Sequence, residues 1–126
     1  MIETTYKILI VEDDSALLEM YKIKFQESGF ELLTASDGET GLNLAKQEKP
    51  HLVLLDIMMP KMDGFAVLGE IKKDPTTKDV IVLMLSNLGQ KSDIEKGQQL
   101  GAADYIVKAS MTPSQVFEKV QEYLSR

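Results

Sequence analysis

The chain contains no cysteine and no tryptophan, and no stretch of it approaches the roughly eighteen consecutive apolar residues that a membrane-spanning helix needs. The lack of cysteine excludes disulfide frameworks, thiolate nucleophiles and cysteine-based zinc or iron–sulfur sites. Residues 1–5 show neither the basic nor the apolar region of a secretory signal peptide. We therefore expect a soluble, cytoplasmic protein without a membrane partner.

Basic residues are outnumbered by acidic ones. Lys and Arg total 14 against 20 Asp and Glu, which gives a formal net charge of −6 and a pI near 4.8. This negative net charge has the wrong sign for a domain that binds the phosphate backbone of nucleic acid, so direct nucleic-acid binding is not expected. The same excess draws cations toward any cleft where carboxylates cluster.

The length and composition are those of one compact domain. The chain has 126 residues, of which 44% are hydrophobic and 27% are charged. These values are typical of a globular protein with one hydrophobic core, and they leave no room for a second. We therefore interpret residues 1–126 as a single domain.

Five short segments are predicted to be β-strands. Three of them are continuously apolar and rich in β-branched residues or leucine, namely residues 8–11, 52–55 and 80–85. The two weaker segments are Glu31–Ala35 and Asp104–Val107. Strands that are apolar on both faces are typical of parallel sheets covered by helices on both sides.

The segments between the strands show the spacing of amphipathic helices. Leu17, Leu18, Tyr21 and Phe25 form one apolar stripe. Residues suited to cap helix N-termini precede three of the predicted helices, namely Asp14, Asp63 and Thr112. The fourth helix, predicted around residues 92–100, contains Gly97 and has a thin apolar stripe, so we expect it to be the most mobile.

This alternation of strands and helices predicts an α/β fold. Right-handed crossovers favour a single doubly wound, five-stranded parallel sheet of flavodoxin-like order 2-1-3-4-5 with five helices. In such sheets, sites form outside the carboxyl ends of the strands, where the strand order reverses.

Polar residues follow four of the predicted strands at this edge. They are Glu12, Asp13 and Asp14 after the first strand, Asp56 at the third, Ser86 after the fourth and Lys108 after the fifth. Strands one and three are neighbours in the predicted order, so their carboxylates come together. Because clustered like charges are unfavourable without a cation, the sequence predicts a site for a hard divalent ion such as Mg²⁺.

Four separated motifs carry a resemblance to a known family. They are Val-Glu-Asp-Asp at residues 11–14, Leu-Leu-Asp at 54–56 followed by Met-Pro-Lys-Met-Asp-Gly at 59–64, Leu-Ser at 85–86 and Gly-Ala-Ala-Asp-Tyr-Ile-Val-Lys at 101–108. With these motifs in this order, the chain resembles the receiver domains of bacterial two-component response regulators. The resemblance extends from Lys7 to about Leu124.

The resemblance implies a phosphorylation-activated signalling switch. Asp56 would be the phosphoacceptor, which takes a phosphoryl group from a sensor histidine kinase or a phosphotransfer protein. Asp13, Asp56 and the backbone carbonyl of Met58 would bind Mg²⁺, or Mn²⁺ in its place, and Glu12 would act through water. Phosphoryl transfer needs mainly positioning and charge neutralisation, which agrees with this set of residues.

The resemblance also implies how the signal leaves the site. Lys108 would contact the phosphoryl oxygens, and the hydroxyl of Ser86 would turn inward to bond the phosphate. Tyr105 would follow that movement from an exposed to a buried rotamer. The surface of helix four, strand five and helix five would then change for a downstream target protein, with the chain a monomer or a phosphorylation-dependent dimer.

Two positions depart from the usual pattern of the family. Ala109 follows Lys108 where the family usually has proline, commonly in a cis peptide. A cis bond without proline costs about 3 kcal/mol, so we expect this loop to be either strained or trans. Asn87 follows Ser86 in place of a small residue, and its amide would either crowd the entry to Asp56 or donate a hydrogen bond near the phosphate.

Two apolar residues bear on the lifetime of the signal. In this family the residues two positions after the phosphoacceptor and after the switch hydroxyl influence how readily water attacks the acyl phosphate. Here they are Met58 and Leu88. We therefore expect slow autodephosphorylation, and no enzymatic activity beyond this and self-catalysed phosphoryl uptake.

Three alternative functions remain open at this point. A metal-dependent phosphatase with an aspartyl nucleophile would need a general acid where Met58 stands. A flavin-binding carrier would need a Ser-, Thr- and Gly-rich loop where residues 12–14 are acidic. A degenerate receiver that acts as a phosphorylation-independent interaction module would be compatible with Asn87 and Ala109.

Overall fold

The computed structural model describes residues 5–87 and 89–126, and no helix in these ranges is long and apolar enough to cross a membrane. The elements alternate along the chain as the sequence predicts, with one short 3₁₀ turn over Lys108–Ser110. In chain order they are β1 (Lys7–Val11), α1 (Ser15–Gln26), β2 (Glu31–Ala35), α2 (Gly38–Glu48), β3 (Leu52–Asp56), α3 (Gly64–Lys73), β4 (Ile81–Ser86), α4 (Lys91–Leu100), β5 (Asp104–Val107) and α5 (Pro113–Leu124).

The largest difference in a strand boundary lies at β4. The apolar run predicts residues 80–85, but the strand covers Ile81–Ser86. Val80 donates its backbone N–H to the carbonyl of Thr77 at 3.0 Å and therefore closes the preceding turn, although its side chain is buried. Hydropathy indicates burial, whereas the strand boundary depends on the backbone hydrogen bond.

The strands form one parallel sheet in the order β2-β1-β3-β4-β5, which confirms the predicted doubly wound topology. Val11 is paired with Leu55, so the next residues along the two strands, Glu12 and Asp56, come side by side. Farther along the same edge of the sheet, where β4 and β5 end, Ser86 is paired with Val107, the residue before Lys108. The register thus brings together side chains that are far apart in sequence.

Helices cover both faces of the sheet, and each face has its own core. One face of the central strands packs against residues of α2 and α3, among them Ala45, Leu68 and Ile71. The other face packs against residues of α1 and α5, among them Tyr21, Phe25, Val116 and Val120. Burial on both faces explains why the central strands β1, β3 and β4 are apolar at every position except one end.

All three predicted N-caps form. Asp14 Oδ1 accepts a hydrogen bond from the backbone N–H of Leu17 at 3.1 Å, and Asp63 Oδ1 accepts one from that of Ala66 at 2.8 Å. Thr112 Oγ1 accepts from the backbone N–H of Gln115 at 3.2 Å, while Gln115 Oε1 accepts from the backbone N–H of Thr112 at 2.9 Å. The last pair is a complete capping box at the start of α5.

Helix α4 is the least firmly anchored of the described helices. Its N-cap residue, Gln90, makes no side-chain hydrogen bond to the helix, and Gly97 is its buried residue. Both features agree with the weak helical pattern in the sequence. The mobility expected for this segment stays a prediction.

Replacing Thr112 with alanine is expected to lower the free energy of unfolding by about 1 kcal/mol, because it removes half of the capping box. Urea unfolding followed by circular dichroism measures the change. Gln90→Ala is the matched control, since Gln90 stands at an N-cap without a side-chain bond, and its effect should stay below about 0.5 kcal/mol. Equal losses in the two variants would contradict the importance of the capping box.

Candidate functional site

Three carboxylates meet at the carboxyl ends of β1 and β3. Glu12, Asp13 and Asp56 each offer one oxygen, and these oxygens lie within 4.8 Å of one another. Glu12 is 0% exposed and Asp56 is 4% exposed, whereas Asp13 faces solvent. The set is therefore a group of hard oxygen donors, buried on one side and open on the other.

Lys108 is the cation that the fold places among these carboxylates. Its Nζ lies 2.6 Å from Glu12 Oε1 and 3.1 Å from Asp56 Oδ2. Glu12 Oε2 accepts a hydrogen bond from the backbone N–H of Asp14 at 3.1 Å. Glu12 Oε1 has no aligned hydrogen bond in the described structure, so its close contact with the ammonium is electrostatic.

The loop that carries Lys108 answers one question left open by the sequence. The described residues contain no cis peptide bond, so Ala109 follows Lys108 in the trans form. The backbone then enters the 3₁₀ turn directly at Lys108. Of the two expected arrangements of this loop, trans is the one adopted, and the ammonium still reaches Asp56 without a proline.

Burial and neighbouring charge shift the ionisation of the site. Burial is the largest of the causes that raise the pKa of Asp56 to about 7, and the hydrogen bond and charge of Glu12 add to it. The charge of Lys108 opposes this shift. Burial alone would lower the pKa of Lys108, but its contacts with Glu12 and Asp56 outweigh burial and raise it. Burial, followed by the charges of Glu12 and Asp56, raises the pKa of Tyr21 to about 12. One ammonium among three carboxylates leaves an excess of negative charge that a divalent cation would relieve.

A cavity of about 540 Å³ opens above the carboxylates. Exposed Met58 and Asn87 line it together with Ala109. Asn87 thus lines the same cavity as Asp56. The residues that line the cavity are Glu12, Asp13, Asp14, Leu17, Asp56, Met58, Asn87, Lys108 and Ala109.

The two predicted switch residues lie on the strands next to this cavity. Ser86 is buried at the end of β4. Tyr105 is half-buried in β5, packs against the core on the α3 side of the sheet and lines a small groove with Ile94 and Gly97 of α4. Asp14, by contrast, caps α1 and lies outside the set of converging carboxylates, as its position in the sequence favours.

Two supporting residues were missed by sequence reasoning. Gly64 lies against the backbone that follows the phosphoacceptor candidate: a Cβ at this position would come within 2.8 Å of the Ile57 Cα. Gly64 also donates its N–H to the carbonyl of Ile57 at 2.7 Å. Tyr21 belongs to the apolar stripe of α1. That stripe predicts its burial, but nothing in the sequence indicates that it is buried near Glu12 and Asp56. Gly64 had two signals, its place at the end of the motif at residues 59–64 and its place after the helix cap Asp63, but neither indicated its contact with Ile57.

Comparison with known proteins identifies the family. The model of the response regulator receiver domain matches residues 8–121. The chain belongs to this family. The match favours a receiver domain over the phosphatase and flavin-carrier alternatives.

Relatives of this receiver domain support the assignment in sequence and in structure. The probable transcriptional regulator ycf27 of Guillardia theta is 42% identical over 125 residues, which are 99% of this chain and 48% of that protein. The chain thus spans about half the length of the curated relatives it matches. The CheY-like receiver domain protein of Methanospirillum hungatei superimposes with a TM-score of 0.89 at 29% identity, covering 97% of this chain and 95% of that one. CheY of Borrelia burgdorferi, in its complex with CheX, BeF₃ and Mg²⁺, has a TM-score of 0.85 at 31% identity, covering 94% of this chain and 89% of that one.

Asp56→Asn is expected to stabilise the metal-free protein increasingly as the pH rises. The folded-state pKa of Asp56, about 7, lies above the ordinary value of 3.8. The stability that the protonated carboxyl contributes is therefore complete below about pH 4 and is lost as the pH rises through about 7, whereas asparagine loses nothing. Relative to the original chain, the variant should gain at least about 1 kcal/mol between pH 4 and pH 8.

Urea unfolding in the presence of a chelator, repeated across this pH range, provides the measurement. Glu118→Gln, on the exposed side of α5, is the matched control and should show no such trend. A stability difference between Asp56→Asn and the original chain that does not vary with pH would show that the Asp56 carboxyl is not destabilised by its surroundings.

Proposed function

We propose that residues 1–126 act as one receiver domain whose phosphorylation at Asp56 switches a signalling surface. The observation that carries the proposal is the position of the Lys108 ammonium, within 3.1 Å of both Glu12 and Asp56 at the mouth of the cavity. A buried nucleophile beside a fixed cation and an open approach is the arrangement that phosphoryl uptake requires.

The phosphoryl donor would be a phosphohistidine of a sensor histidine kinase or of a phosphotransfer protein. An oxygen of the Asp56 carboxylate forms the new bond to phosphorus while the P–N bond of the donor breaks. The imidazole nitrogen of the donor keeps the electron pair of that bond. Lys108 already lies beside Asp56 and would stabilise the negative charge on the phosphoryl oxygens.

The carboxylates fit a Mg²⁺ ion, or Mn²⁺ as a similar hard cation. Asp13, Asp56 and the backbone carbonyl of Met58 would hold it, and Glu12 would reach it through water. The place of Glu12 beside Asp13 and Asp56 in the lining of the cavity supports this last role. The bound ion would neutralise charge on the transferred group. The Mg²⁺ in the Borrelia complex supports the choice of metal.

The output would pass from the site through Ser86 and Tyr105 to the surface formed by α4, β5 and α5. Ser86 ends β4 beside Asp56, since the register pairs Asp56 with Leu85. Tyr105 borders a groove of about 130 Å³ with α4 and is only half-buried, so its ring has space for a second position. Weak anchoring of α4 would keep the cost of rearranging this surface low.

The partners would be the phosphoryl donor and a downstream target protein that reads the α4-β5-α5 surface. The Guillardia relative is described as a probable transcriptional regulator, but the part of it that matches this chain is only 48% of its length. The net charge of −6 disfavours direct contact of this domain with nucleic acid. The receiver would therefore act through protein contacts, as a monomer or as a phosphorylation-dependent dimer.

Incubation with acetyl phosphate and MgCl₂ should add the mass of one phosphoryl group to the intact chain. The added group should be absent in Asp56→Asn and present in Asp63→Asn, which changes an exposed helix-capping acid instead. Intact-mass spectrometry measures the addition, and peptide mapping locates it. An unchanged mass in the original chain would favour the degenerate receiver, and labelling at another residue would exclude Asp56 as the acceptor.

Met58→Asn should shorten the lifetime of the phosphorylated form several-fold. Met58 is 76% exposed at the mouth of the cavity, so an amide there could orient the attacking water that a thioether cannot. The decay is followed by loss of the phosphoryl mass after removal of acetyl phosphate. Met20→Asn is the matched control, since Met20 is 50% exposed on α1 away from the cavity lining. Equal lifetimes in the two variants would refute the role of Met58, while Leu88, the second residue expected to slow the decay, lies outside the described residues.

A further inference from the structure

The first turn of α2 touches both segments that carry the carboxylates of the site. On one side, Gly38 lies against the carbonyl group of Met62: a Cβ at position 38 would come within 2.8 Å of the Met62 carbonyl carbon and would collide with its oxygen. On the other side, a Cβ at Gly41 would lie 2.8 Å from both methyl groups of Val11, the residue before Glu12. Both glycines are buried. Neither contact leaves room for a side chain.

The segment that Gly38 touches belongs to the loop of residues 57–63, which follows Asp56. The inner end of this loop is tied to the sheet, because Ile57 donates its N–H to the carbonyl of Leu85 at 3.0 Å. Its outer half is folded tightly, with the Met62 N–H donating to the carbonyl of Pro60 at 2.8 Å. Lys61, between them, has a φ of 69°, in the left-handed region. A loop of this shape needs an external support to stay in place.

Helix α2 provides such a support. The Gly38 N–H donates to the carbonyl of Pro60 at 3.5 Å, a long hydrogen bond between the two segments. Lys61 Nζ lies 3.9 Å from Asp37 Oδ2, while Asp37 Oδ1 accepts a hydrogen bond from the Thr40 N–H at 2.7 Å and so caps α2. The outer half of the loop is thus held against the start of α2 by steric fit and by charge.

Backbone conformation does not explain the glycine at position 38. The positive-φ glycines among the described residues are Gly29 and Gly101, and Gly38 is not one of them. Alanine would also be the better residue inside a helix on propensity alone. What position 38 cannot accommodate is the volume of a methyl group, because its neighbour is backbone and cannot rotate away.

We propose that Gly38 is a positioning residue for the phosphorylation site. By lacking a side chain, it lets α2 hold the loop of residues 57–63 in the place that presents the Met58 carbonyl beside Asp56 to the metal. A methyl group at position 38 would push the loop outward and misplace that carbonyl, while the Asp56 side chain stays on its strand. The inference rests on the proposed function, since it assumes that the carboxylates bind Mg²⁺.

Titration of the ¹⁵N-labelled full chain with MgCl₂, followed by amide chemical shifts, tests the proposal without any phosphorylation. Gly38→Ala should weaken Mg²⁺ binding about tenfold, the usual effect of disturbing groups that support metal ligands. Gly69→Ala is the matched control: it adds the same methyl group to a helix where nothing lies within 4 Å, so Mg²⁺ affinity should not change. Gly41→Ala should have a smaller effect than Gly38→Ala, because its contact is with Val11 on β1 and not with the loop of residues 57–63.

A second control distinguishes positioning of the loop by Gly38 from a general effect of Gly38 on stability. Ile71→Val shortens a fully buried side chain of α3 and should lower the urea midpoint without changing Mg²⁺ affinity. If Gly38→Ala binds Mg²⁺ as tightly as the original chain, the proposal is overturned. If that variant does not fold, its titration is repeated with trimethylamine N-oxide, an osmolyte that favours the folded state, and an unchanged affinity there overturns the proposal. Failure of the original chain to respond to Mg²⁺ would refute the proposed metal site itself, whatever the variants show.

Discussion

The site depends on an imbalance of charge that the fold imposes and Lys108 only partly corrects. Glu12 and Asp56 are held side by side because their strands are neighbours in register, and both are almost completely buried. The ammonium of Lys108 contacts both, but one positive charge cannot neutralise three carboxylates. The protein therefore has unfavourable local electrostatics at the candidate site. A divalent cation is the kind of ligand that such a site can bind with a gain in stability.

The stability of the parallel sheet offsets the repulsion between these carboxylates. Two separate apolar layers, one on each face, stabilise the strands along their length, and in β3 and β4 the only polar residue is the last one. The rest of the fold can thus carry this repulsion without loss of order at the site. Helix α4, which lacks a side-chain cap at its N-terminus, borders the groove beside Tyr105, so this weakly anchored helix lies next to the predicted switch residue.

Local sequence patterns predict those features that depend on local physics. Continuous apolar runs locate the strands, and Asp14, Asp63 and Thr112 locate three helix starts, because a cap requires only the next few backbone amides. The strand order and the convergence of Glu12, Asp56 and Lys108 follow from general rules for doubly wound sheets. The sequence alone could go that far and still give no distances.

The remaining features arise from contacts between distant segments. The trans bond before Ala109 could not be chosen in advance, since it depends on how the turn after β5 meets the site. The close approach of Gly64 to Ile57 and that of Gly38 to Met62 are set by how helices dock, not by the residues next to them in the chain. The 2.6 Å contact between Lys108 and Glu12 likewise exists only in the assembled sheet. It also has a consequence for folding: because Glu12 follows β1 and Lys108 follows β5, with β3 and β4 between these strands in the sheet, this ion pair forms only late in the assembly of the sheet.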